Sequence, residues 1–72
     1  MDRLEIINKK LGRINKVYKY KITLEIIEDK DVILPYGLNY KTSSDYIIKS
    51  IGFETLKEVY IYLNGIEDVL TA

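Results

Sequence analysis

The densest cluster of acids in this 72-residue chain is "EDKD", with Glu28, Asp29 and Asp31. Carboxylate oxygens at that spacing could seat a hard cation such as Mg²⁺ or Ca²⁺. A calcium loop of the EF-hand type needs further oxygen ligands and a glycine at its sixth position. Val32, Ile33 and Leu34 follow instead, so the cluster reads as a solvated turn and no metal site is expected. The chain has no His and no Cys, which removes the usual general base, the strongest nucleophile and most transition-metal ligands. Neither "GxxxxGK" nor "GxGxxG" occurs to cradle a phosphate. Ser44 or Ser50 beside Lys49 does not form a supported nucleophile–base pair: Ser44 suits a helix cap and Lys49 a helix surface. No two acids are placed across a cleft as glycoside hydrolysis requires. The expectation is a protein that is not an enzyme, with no catalytic residues and no cofactor.

Binding chemistry has more support. Residues 1–24 carry seven basic side chains against Asp2 and Glu5, whereas residues 25–72 carry four against nine, giving net charges of +5 and −5 in a neutral chain. Lys9, Lys10, Arg13, Lys16, Lys19 and Lys21 would form one patch if a first helix ran beside a first strand. Cations of that kind neutralise phosphates while aromatic faces stack on bases, which makes nucleic-acid binding one expectation. The plainer reading of the lysines is the wet face of an antiparallel sheet, discouraging edge pairing. Seven tyrosines supply the other candidate surface. Tyr60 and Tyr62 are the pair expected to stand exposed if Val59, Ile61 and Leu63 face inward, and exposed tyrosine is a common anchor at protein interfaces.

Those side chains need elements to position them. Asp2 with Glu5 makes a capping-box-like start, and Leu4, Ile7, Leu11 and Ile14 recur at helical spacing, with Gly12 as a stop. A helix is predicted near 3–11. In "KVYKYKITLEII", Tyr18, Tyr20, Ile22, Leu24 and Ile26 alternate with Lys19, Lys21, Thr23 and Glu25. That period of two predicts a strand over 16–28, paired as a hairpin with 32–40. Pro35 pushes the second strand toward an edge or a bulge. "KTSSDYIIKSIG" predicts a helix near 43–51, capped by Ser43 or Ser44, with Tyr46, Ile47, Ile48 and Ile51 buried and Gly52 as the stop. Residues 57–63 have two readings. Thr55 and Glu58 form a capping box for a helix, while "EVYIYL" before "NG" suits a strand. The strand is adopted because Ile61 then joins Val59 and Leu63 on one face.

The expected fold class is therefore α+β: one domain, 1–72, in which a small antiparallel sheet has one face covered by helices. Apolar content of 47% is ordinary for a globular protein. A chain this short buries only about 60% of its unfolded surface. With no disulfide or metal as a staple, association is the remaining one. No apolar run approaches the ~20 residues that cross a bilayer, and the charges in "MDRLEIINKK" do not suit a secretory signal, so a cytoplasmic location is expected. Wealth in Ile, Lys, Tyr and Asn is the bias of an AT-rich genome, of a low-GC bacterium, an archaeon or one of their viruses. The functional expectation is a small protein acting through protein–protein contact as adaptor, inhibitor or subunit, of the type phages and mobile elements encode. Homodimerisation fits the charge split, and nucleic-acid binding is the alternative.

Overall fold

The computed structural model describes residues 2–19 and 21–71, with only the backbone of Thr71. Tyr20, expected on the apolar face of the first strand, lies outside the described residues. The elements are α1 (Arg3–Val17), β1 (Ile22–Glu28), β2 (Tyr36–Thr42), β3 (Ile47–Phe53) and α2 (Leu56–Thr71). The strands form one antiparallel sheet in the order β1-β2-β3. Both helices lie on the same face, α1 over β1 and α2 over β2 and β3. The α+β architecture with one helix-covered sheet face is as the sequence implies.

α1 starts where expected, because the Asp2 side chain accepts a hydrogen bond from the Leu4 N–H at 2.8 Å. It does not stop at Gly12. A glycine inside a helix costs only about 1 kcal/mol, and running on to Val17 brings Ile14 to 1% exposure beside Ile7 and Leu11. The stop is at Lys19, whose φ of 56° is left-handed, and the Tyr18 N–H closes the last turn on the Ile14 carbonyl. Thus Lys16 and Val17 end a helix, and Tyr18 and Lys19 belong to a turn. The strand predicted over 16–28 begins only at Ile22, and Lys19 and Lys21 are not on a sheet face.

Leu24 and Leu38 point to the helices and are buried; Ile22, Ile26, Tyr36 and Tyr40 pack around them. The β1–β2 connection closes with the Asp29 N–H on the Pro35 carbonyl and the Asp31 N–H on the Asp29 carboxylate. Pro35 sits before β2, so the second strand runs 36–42 instead of 32–40. The loop returns Leu34 over Gly52, where a Cβ would lie 2.8 Å from the Leu34 side chain; only glycine fits there without displacing it.

Two predicted segments exchange type. The helix expected at 43–51 is strand β3. Ser43, Ser44 and Asp45 form the β2–β3 turn: Asp45 takes a left-handed φ of 65°, and the Thr42 hydroxyl accepts from the Ser44 and Tyr46 N–H groups. The same small polar residues cap helices and make turns, and the β-branched run after them pairs with β2. Conversely, residues 57–63 are helical. The Glu58 N–H donates to Thr55 Oγ1 at 3.2 Å and the Thr55 hydroxyl reaches the Glu58 carboxylate, completing the capping box. Val59 and Leu63 then reach 0% exposure, while Ile61, which favoured the strand, is left facing solvent. Gly65 continues the helix.

One side-chain contact ties the layers together at the sheet edge. The Asn15 carboxamide donates to the Leu24 carbonyl at 3.2 Å and accepts from the Leu24 N–H at 2.8 Å, standing in for a neighbouring strand. Asn15→Ala strips both backbone groups of that partner. It is expected to cost about 1–3 kcal/mol, seen as a lowered urea midpoint at unchanged slope, with faster hydrogen exchange at the Leu24 amide.

Candidate protein-interaction surface

The tyrosines singled out in the sequence are not on a sheet. Tyr60 and Tyr62 lie on α2, and both are half-buried. The Tyr62 hydroxyl shares a hydrogen bond with that of Tyr40, and its ring packs at 58° to Phe53 with centroids 5.5 Å apart. Lys10 lies over the Tyr60 ring, 4.9 Å from its centroid. Both rings are largely committed to internal packing. Burial, then the Tyr62 hydroxyl, pushes the Tyr40 phenol well above its ordinary value.

The six basic residues do not converge as a sheet patch either. Lys9, Arg13 and Lys16 share the outer side of α1, while Lys19 and Lys21 belong to the turn after it. Lys10 and Arg13 are held by α2: their nitrogens stand 3.0 and 3.1 Å from Glu67 Oε1. Arg13 first, with Lys10 assisting against partial burial, holds the Glu67 carboxyl below its usual range. The charge split of the sequence is thus partly cancelled between the helices.

What the structure does expose lies on the far side of the sheet. Asn15 occupies the free edge of β1, whereas β3 is the other edge and has no strand beyond it. Since Asn15 takes both backbone groups of Leu24, alternation along antiparallel strands turns those of Tyr40 toward Lys49. By the same alternation Ile51 and Phe53 bond to β2, and the N–H and C=O groups of Ser50 and Gly52 point outward. Around that edge Tyr46, Ile47 and Ile48 are 73%, 56% and 58% exposed. Sequence reasoning placed these three in a buried helix face; the β-branched pair after a Thr-Ser-Ser-Asp turn was the signal for a strand. No family model, curated protein or solved structure matches this chain.

α2 adds to the same side. It presents Ile61, Tyr62, Gly65, Ile66 and Val69 along a groove of about 420 Å³ that Tyr18 and Leu70 also line. Val69 is 76% exposed. Nothing lies within 4 Å of where a Gly65 Cβ would be. The groove meets β3 through Tyr62, which lines it and packs on Phe53. Among the described residues no helix is long and apolar enough to cross a membrane, and no cluster of three or more acids gathers to hold a metal ion.

Two pH effects follow from the internal contacts. The lowered Glu67 value stabilises the fold above the ordinary carboxyl range near pH 4.3, and that stability is lost as pH falls through the native value. Glu67→Gln should therefore lower the urea midpoint at pH 7 and make little difference near pH 2. For Tyr40 the sign is opposite: its raised value stabilises below about pH 10 and is lost as pH rises through it. Tyr62→Phe should move the late step of an ultraviolet phenolate titration to lower pH.

Proposed function

We propose that this protein acts without catalysis, by binding protein along its β3 side. The observation that carries this reading is the contrast between the two sheet edges. β1 is closed by an asparagine amide, while β3 leaves the backbone groups of Ser50 and Gly52 unpaired among exposed Tyr46, Ile47 and Ile48. An uncovered edge of that type accepts an extended segment by strand addition, with main-chain hydrogen bonds giving affinity and flanking side chains giving choice. The bulge between Ile47 and Lys49 limits the available ladder to a short stretch, so the adjoining α2 groove supplies the remaining contact area. Roles as adaptor, inhibitor or subunit all use such a surface. The nucleic-acid alternative draws less support, since Lys10 and Arg13 are already paired with Glu67 and Lys19 and Lys21 sit in a turn.

The test is capture from a cell extract supplemented with untagged copies of this chain. Tagged wild type should retain a protein that Ser50→Pro and Ile48→Lys both lose, with their circular dichroism unchanged. Proline at 50 removes an outward N–H and no main-chain bond to β2; it also removes the Ser50 hydroxyl's 2.7 Å bond to Asn39 on β2, and Ser50→Ala, which loses only that bond, should retain the protein as wild type does. Equal retention by wild type, Ser50→Pro and Ile48→Lys, or salt-sensitive binding to generic nucleic acid abolished by Lys9→Glu with Lys16→Glu, would overturn it.

A further inference from the structure

We infer that the partner seated on the β3 side is a second copy of this chain, related by a two-fold axis perpendicular to the sheet at Ile51. The inference rests on the proposed binding surface and names its occupant. Three observations meet in that one arrangement.

The first is the backbone. With the axis at Ile51, Ser50 faces Gly52 of the partner subunit and the partner's Ser50 faces Gly52. Four hydrogen bonds then use the outward groups of both strands, and the sheet becomes six-stranded and antiparallel. Ile51, half-buried on the helix side, meets its own equivalent and extends the core across the axis.

The second is the helix layer. The two-residue connection Glu54–Thr55 folds α2 back over β3 and β2. Strands stand about 4.8 Å apart, so a helix above the β2–β3 gap lies about 5 Å from the axis. The two copies of α2 would run antiparallel about 10 Å apart, within the range of close-packed helices. The groove beside Gly65, Ile66 and Val69 is the space that the second α2 fills, and a glycine there lets the backbones approach.

The third is charge. Lys49 lies on the helix side and in this register faces Phe53 of the partner subunit. In the single chain Lys49 lies over the Tyr40 ring, 5.4 Å from its centroid, and this register brings it toward the acidic turn into α2 of the partner subunit, which carries the partner's Glu54 and the partner's Glu58. A register with the axis at Ser50 would instead bring the two Lys49 side chains closer together.

Sedimentation equilibrium of the full chain up to about 1 mM tests this. Wild type should show twice the 8.4 kDa chain mass. Lys49→Glu should weaken the dimer at least about tenfold by setting like charges together, and Lys49→Glu with Glu58→Lys should restore it. Gly65→Glu points into open space in the single chain, so it should fold, melt no lower, and sediment as a monomer. A monomeric wild type overturns the second-copy assignment, as does a dimer that all of these variants leave intact. The binding-surface reading fails separately, if the extract capture also shows no partner lost with Ser50→Pro; a different protein lost with that variant keeps the surface and replaces the occupant.

Discussion

The Asn15 carboxamide bound to both backbone groups of Leu24 sets the terms for the rest of the molecule. It joins α1 to the sheet through a peptide-like pair, at the β1 edge, where a further strand would otherwise add. It also sets the phase of hydrogen bonding. Once Leu24 is turned to α1, Tyr40 must turn to β3, and the outward groups of β3 are those of Ser50 and Gly52. An asparagine can do this because its amide carries a donor and an acceptor in the plane of a peptide group. A hydrophobic residue at position 15 would pack against the same edge and leave both groups unsatisfied.

The two sheet edges then have different fates from one cause. α1 follows β1 closely and seals it. α2 is centred over β2 and β3, and its own apolar flank is left uncovered beside the open strand. Two helices are enough to cover most of three strands, and the shortfall falls on one side. The helices themselves run in the same direction, with Arg13 reaching Glu67 and Arg3 near Lys57. Their dipoles are therefore aligned, which is unfavourable, and the Lys10–Arg13–Glu67 cluster offsets part of that cost in a partly buried setting.

Fold class was legible from the sequence, and so was the start of α1, because Asp2 and the Ile7–Leu11–Ile14 stripe have one interpretation. The strand centred on Leu24 was legible for the same reason: its period of two is unambiguous from Ile22 onward. The upstream half of that pattern misled, since Tyr18, Lys19 and Lys21 alternate in type while the chain is ending a helix. Residues 43–53 and 55–64 exchanged roles because each carries signals for both states. Ser-Ser-Asp serves a cap or a turn, and a Val-Tyr-Ile-Tyr run under a Thr-x-x-Glu box serves a strand or a helix. What decided them was burial of Val59 and Leu63 against Leu38, a contact between distant parts of the chain that no local pattern contains. The candidate surface was missed with them: Tyr46, Ile47 and Ile48 become conspicuous only after that segment is extended.

The pairing of the outermost elements also governs the order in which structure can form. Residues about fifty-four positions apart lie against each other where α1 meets α2, so closing that contact waits on a long excursion of chain. The two hairpins can assemble early on local contacts. Until α2 has left the ribosome, Ile7 and Ile14 lack the packing that helix supplies, and the growing chain must carry an oily helix in the open.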